Sequence, residues 1–206
     1  WRGDARIFCL SFQKTGTTSV EVFLRGLKYP VAGWPVTQRN AWHIKAAEGR
    51  LERIFRSVDF ACYQAFADTP WFYPGMHREL FSRFPNARFI LLEREPAAWF
   101  DSLLHHGDGA PLEDALYHAR VYGREADLTY AEATGKALQI TPDHAAHYQS
   151  VYTATNQAVS EFFMQHAPTQ FFRAALEDEA TWDALADFLG EENALGPVHA
   201  NRRRKR

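Results

Sequence analysis

The chain has 206 residues, 46% of them hydrophobic, 15% aromatic and 23% charged, which is enough apolar side chain to close one core and too little for two generous ones. That aromatic content excludes wholesale disorder, and no run of 18 uncharged apolar residues offers a membrane-spanning helix. The net charge of -2 hides a basic end: residues 202–206 carry +5, leaving -7 on the other 201, and such an acidic body argues against a broad nucleic-acid footprint. A single domain over residues 1–206 is expected, with 202–206 as a flexible, solvated tail. No basic-then-apolar leader opens the sequence, so a soluble, cytoplasmic protein is the expectation, provisional because the chain begins at Trp1 rather than Met. Cys9 and Cys62 both lie in apolar runs and read as buried thiols rather than a disulfide framework.

In chain order, residues 6–12 (RIFCLSF) read as a buried strand. From Thr17 the apolar spacing changes to Val20, Phe23, Leu24 and Leu27, the i, i+3, i+4, i+7 pattern of a helix, which Gly26 and Pro30 weaken at its far end. Residues 58–63 (VDFACY) read as a second buried strand. Met76, Leu80, Phe81 and Phe84 give the next helix its stripe, Pro85-Asn86 ends it, and residues 88–92 (RFILL) form the most strand-like run of the chain. Pro96 suits the first turn of a helix whose buried face is Trp99, Phe100, Leu103 and Leu104. From Pro111 to Leu138 the pattern is helical but broken by Gly123 and Gly135. Thr141-Pro142-Asp143 starts a long amphipathic helix through Val151, Tyr152, Val159, Phe162 and Phe163. Residues 169–176 then read as a strand, and 181–189 as a helix closed by Gly190. Alternating strands and helices predict an α/β fold, a parallel sheet covered by helices on both faces, with ligands bound where loops leave the carboxyl ends of the strands.

The loop joining the first strand to the first helix runs Ser11, Phe12, Gln13, Lys14, Thr15, Gly16, Thr17, Thr18, Ser19. A helix amino terminus presents unpaired N–H groups and partial positive charge, so a glycine for close approach, hydroxyls and one lysine suit a phosphate. The plain alternative is a capped turn, with Thr17 or Thr18 as cap and Lys14 on the surface. Neither GxxxxGK[ST] nor GxGxxG occurs, because Lys14 precedes Gly16 by two positions. QKTGTTS resembles instead the phosphosulfate-binding loop of sulfotransferases. A second piece follows the strongest strand: Arg94, Glu95, Pro96, Trp99 and, eight residues after Arg94, Ser102, two turns into the next helix. An Arg and a Ser at this spacing, with Pro between them, resemble the pair that holds the 3′-phosphate in that family. Left to itself, Arg94 could equally pair with Glu93 or Glu95 at the surface.

Between these pieces, residues 66–73 (FADTPWFY) resemble the family segment in which a His two residues before a Pro takes the acceptor proton; here Asp68 stands at that place. A carboxylate can do the same work, could instead hold Lys14 or an acceptor amine, and is also an ordinary cap for a Thr69-Pro70 turn. His43 is the rival base, since histidine ordinarily titrates nearest neutrality. The resemblance spans residues 6–106 with specific motifs. It implies a three-layer sandwich of the P-loop nucleoside triphosphate hydrolase-like class and transfer of a sulfuryl group from 3′-phosphoadenosine 5′-phosphosulfate to a hydroxyl or amine of a small-molecule or glycan acceptor, leaving adenosine 3′,5′-bisphosphate. It further implies that Lys14, Thr15, Gly16, Thr17, Thr18 and Ser19 hold the 5′ end and Arg94 and Ser102 the 3′-phosphate, with Lys14 and Asp68 or His43 catalytic. No spacing of His, Cys and acidic residues makes a metal site, so none is expected, and no G-x-S-x-G turn points to a hydrolase. Trp34, Trp42, Trp71, Phe72 and Tyr73 are candidates for the acceptor wall or for plain core. A metal-dependent phosphoryl transferase and a non-catalytic nucleotide-binding module remain as alternatives.

Overall fold

The first apolar run forms β1 (Ile7–Cys9), every residue of it buried. A computed structural model describes residues 5–107, 115–193 and 195–198 of the chain. Helix α1 (Thr17–Gly26) follows the loop and buries Val20, Phe23 and Leu24, the stripe read from the sequence. Then come β2 (Val31–Ala32), α2 (Trp34–Arg39), α3 (Trp42–Ala47), α4 (Glu52–Phe55), α5 (Val58–Ala61) and β3 (Ala65–Phe66). The second half of the sheet is built by α6 (Met76–Arg83), β4 (Arg88–Glu93) and α7 (Pro96–Gly107), the last opened by the proline that fits a first helical turn. Next are α8 (Ala115–Tyr122), α9 (Glu125–Thr134), α10 (Ala145–His166), β5 (Phe171–Ala175) and α11 (Thr181–Leu189). Gly135 and Gly190 end α9 and α11 in the left-handed conformation.

The five strands are all parallel, in the order β2-β3-β1-β4-β5. Side chains alternate along β1: Phe8 joins the face lined by Phe66, Phe89, Trp71 and Trp99, whereas Ile7 and Cys9 join Ile90, Leu92 and the apolar stripes of α1 and α11. Helices α3, α6, α7 and α10 bury their apolar sides on the first face, so the molecule is the expected three-layer α/β sandwich. Full burial of side chains such as Phe8, Phe66 and Trp42 contributes about 2–3 kcal/mol each. From β1 the chain turns to β2 on one side, and from β4 to β5 on the other. The carboxyl ends of β1 and β4 therefore flank a switch point of the sheet, where open α/β folds bind ligands.

Two expectations are corrected. Residues 58–63 are not a strand: Ser57 caps them as a short helix by accepting from Phe60 N–H, and the strand lies farther on, at Ala65–Phe66. The run is apolar, but helical geometry turns Val58 outward, 79% exposed, and leaves only Phe60 buried. Cys62 is accordingly exposed rather than buried, while Cys9 is buried as expected, its thiol pushed up to about 11 mainly by that burial. The start of the broken helical segment at Pro111 and the basic tail at 202–206 lie outside the described residues.

Candidate active site

Three loops leave neighbouring parallel strands at the same edge of the sheet: residues 10–16 after β1, 67–75 after β3 and 94–95 after β4. The first is fixed from beneath by Ser11, whose hydroxyl accepts from Leu92 N–H at 2.7 Å and from the Cys9 thiol at 3.3 Å. Thr15 donates from both its backbone and its hydroxyl to Phe12 C=O, and Thr15 itself is wholly buried. Between these anchors Lys14 takes φ 70° and Gly16 φ 85°, both left-handed. Gly16 has a second reason to be glycine, since an added Cβ would come within 2.4 Å of a Leu176 methyl at the end of β5. No side chain caps α1, so its first N–H groups open onto the loop as a site for an anion.

The Thr17 hydroxyl does not cap the helix. It donates to Asp68 Oδ2 at 2.9 Å and so joins the first loop to the second. Asp68 Oδ1 accepts from Thr69 N–H at 2.7 Å and from the Thr69 hydroxyl at 3.1 Å, so the carboxylate also closes its own turn. Its φ of 73° makes it, with Lys14, one of four non-glycine residues of positive φ among the described residues, two of the four lying at this edge. The Thr37 hydroxyl on α2 supports the turn through Thr69 C=O at 2.8 Å.

Arg94 leaves β4 with its backbone gripped by one phenol: Tyr152 OH accepts from Arg94 N–H at 2.9 Å and donates to Arg94 C=O at 3.2 Å. Burial pushes the Tyr152 phenol up to about 12, so it stays a neutral donor near pH 7. The Arg94 side chain pairs through Nε with Glu177 at 2.9 Å, not with its chain neighbours. Glu93 pairs instead with Arg173, and Glu95 caps α7 by accepting from Ala98 N–H. Ser102 is half-buried on α7, three residues beyond Trp99 and hence on the same side of the helix.

His43 comes from α3, outside the three loops. It is buried on α3 with its ring against Trp34 at 5.2 Å, and its backbone carbonyl accepts from Tyr73 OH. Trp42 and Trp71 are fully buried core, Phe72 and Tyr73 are buried, and Trp34 is half-buried. The sequence reading assigned no site role to Gln13, Tyr117 and Tyr122, which with Trp99 build the site. Gln13 accepts from Tyr117 OH at 3.2 Å and donates to Tyr122 OH at 3.0 Å, while its carbonyl takes the Trp99 indole N–H at 3.0 Å. Tyr117 stacks on Tyr73, and burial holds its phenol well above the ordinary range, so it acts here as a neutral hydroxyl. These partners are separated by 86 to 109 residues, and local signal was carried only by Gln13, inside QKTGTTS, and Trp99, inside the Arg94–Ser102 piece.

The sulfotransferase domain family matches residues 6–201. The chain belongs to that family. It is a transferase of sulfuryl groups built on an α/β, P-loop-like frame. Two solved sulfotransferases resemble it in fold. One, from Alicyclobacillus acidocaldarius, has 16% identity over 98% of this chain and 87% of its own, with a TM-score of 0.55. The other, the sulfotransferase domain of the curacin biosynthetic pathway, has 15% identity over 95% and 77%, with a TM-score of 0.53. Among curated proteins no match is found. No helix among the described residues is long and apolar enough to cross a membrane.

Proposed function

We propose that this sulfotransferase domain uses 3′-phosphoadenosine 5′-phosphosulfate as donor and a hydroxyl or amine of a small-molecule or glycan as acceptor. The observation that carries the reading is the 2.9 Å bond from the Thr17 hydroxyl to Asp68, which sets a carboxylate directly against the phosphate-type loop. The cradle at Gly16, left-handed at φ 85° and with the Leu176 side chain where a Cβ would sit, fits a phosphate resting on backbone. When bound, the donor supplies the sulfuryl group and a bisphosphate leaving group. The N–H groups of Gly16, Thr17 and Thr18 hold its 5′-phosphate, with Thr15 and Ser19 completing the loop. Lys14 offsets the negative charge that develops there, and Arg94 with Ser102 holds the 3′-phosphate. Asp68 takes the acceptor proton on Oδ2, the oxygen with a single hydrogen-bond donor. Asp68, bonded directly to the phosphate-type loop through Thr17, is the base we favour over His43.

Calorimetric titration with adenosine 3′,5′-bisphosphate, adenosine 5′-monophosphate and ATP tests the donor class. A preference for the bisphosphate that disappears in Arg94→Ala supports the assignment. Equal affinity for all three, or a preference for ATP with transfer that stops in chelator, returns the chain to phosphoryl transfer.

A further inference from the structure

Trp99 and Tyr152 form a bridge between the two corners of the sheet that the proposed donor would span. The indole N–H of Trp99 holds Gln13 C=O at 3.0 Å, one residue before Lys14. The same indole lies flat on the Tyr152 ring, with centroids 4.3 Å apart and planes 16° apart. Tyr152 in turn clamps both backbone groups of Arg94. Both rings are essentially inaccessible to water, and Phe12 packs against each of them, at 5.6 Å from Trp99 and 5.2 Å from Tyr152. The chain before Lys14 and the chain at Arg94 are thus tied to one stacked aromatic pair, each by hydrogen bonds to backbone. A stacked pair in a close-packed core has little freedom to slide.

We infer that Trp99 and Tyr152 are positioning residues that set the spacing between the Lys14 loop and Arg94, so that one nucleotide can meet both. The inference rests on the proposed reading of Arg94 as the 3′-phosphate ligand. Neither ring touches the reacting atoms. Their part is to hold two backbone segments, from α7 and α10, at a fixed separation across the switch point. The Tyr152 hydroxyl acts on the Arg94 side, where it meets both backbone groups of that residue. Trp99 acts on the Lys14 side through its N–H and on the Arg94 side through its ring.

Tyr152→Phe keeps the stack and removes the clamp. In calorimetric titrations its affinity for adenosine 5′-monophosphate should stay within twofold of the unaltered chain, while the preference for adenosine 3′,5′-bisphosphate over the monophosphate falls about tenfold. Tyr148→Phe is the matched control: it keeps the ring and removes another buried phenol of α10, one whose hydroxyl accepts from Arg124, and should leave the preference unchanged. Trp99→Phe keeps a ring but loses the bond to Gln13, and should weaken both nucleotides by a similar factor. If folded Tyr152→Phe retains the full preference, or Tyr148→Phe loses it equally, the positioning role is overturned. If Tyr152→Phe does not fold, unaltered monophosphate binding by Trp99→Phe overturns it instead. A parent chain that shows no bisphosphate preference overturns the reading of Arg94, and this inference with it, which distinguishes the two failures.

Discussion

The corner between β1 and α1 and the corner between β4 and α7 hold the groups proposed to face the donor's phosphates by different means. At the first, local backbone carries most of the geometry: left-handed Lys14 and Gly16, an uncapped helix start, and Thr15 folded back on Phe12 within three residues, with Trp99, Tyr117 and Tyr122 propping Gln13 from outside. At the second, Arg94 is set by side chains from far along the chain, Tyr152 on α10 and Glu177 after β5. A backbone cradle is hard to alter without breaking it, whereas a side-chain clamp can be weakened by degrees. Substitutions should therefore act as near all-or-none at the first corner and in graded fashion at the second.

The largest expected effect is at the first corner. Lys14→Ala should lower turnover by on the order of a hundredfold or more, the loss typical of one preorganised donor of ~3 kcal/mol, with the unfolding midpoint little changed. Steady-state kinetics with a sulfated product readout checks it, and unchanged turnover removes Lys14 from the mechanism. Gly16→Ala should abolish nucleotide binding, because it places a Cβ at positive φ and against Leu176; calorimetric binding as tight as the parent's would show that the cradle is not where phosphate sits.

Acid should loosen the second corner's support. His77 packs on Phe162 and Phe163 of α10 and is lowered to about 4 by burial and then by Arg78; His118 packs on Tyr148 of α10 and is lowered to about 3 by burial and then by Arg124. Both histidines bind protons more readily in the unfolded chain, whose ordinary value is near 6.5. Stability should thus be complete above pH 6.5 and decline as pH falls through 6.5 toward 4, by on the order of 2 kcal/mol for each group. Thermal unfolding across that range checks the slope, and His77→Phe should flatten it. The smallest effect is expected of Glu177→Gln. The Arg94 pair is more than a quarter exposed on both sides, so bisphosphate affinity should change by about threefold at most.

The same contrast explains what was legible in the sequence. Helices α1, α6, α7, α10 and α11 and strands β1, β4 and β5 carry enough periodic apolar positions to be read, and the switch-point corner at QKTGTTS is written in consecutive residues. The stretch from Val31 to Phe66 was not readable. Its strands are two residues long, too short for any alternation to show, and its helices run four to six residues. VDFACY has strand composition, yet a serine cap turns it into a helix with one buried residue. Gln13 binds Tyr117, Tyr122 and Trp99, and Tyr152 binds Arg94, over separations of 58 residues or more. Such contacts leave no mark on local spacing.

The link from Thr17 to Asp68 ties the acid–base state of one loop to the hydrogen-bonding polarity of the other. A threonine hydroxyl owns a single hydrogen, and here it is spent on Oδ2 of the carboxylate. Were that oxygen to gain a hydrogen of its own, it would accept less well and could itself donate to the threonine oxygen, and the reversed bond would leave the threonine hydrogen free to turn toward the amino end of α1. In the proposed reaction the moment at which the nucleophile is stripped of its hydrogen is also the moment at which the cradle acquires one more donor.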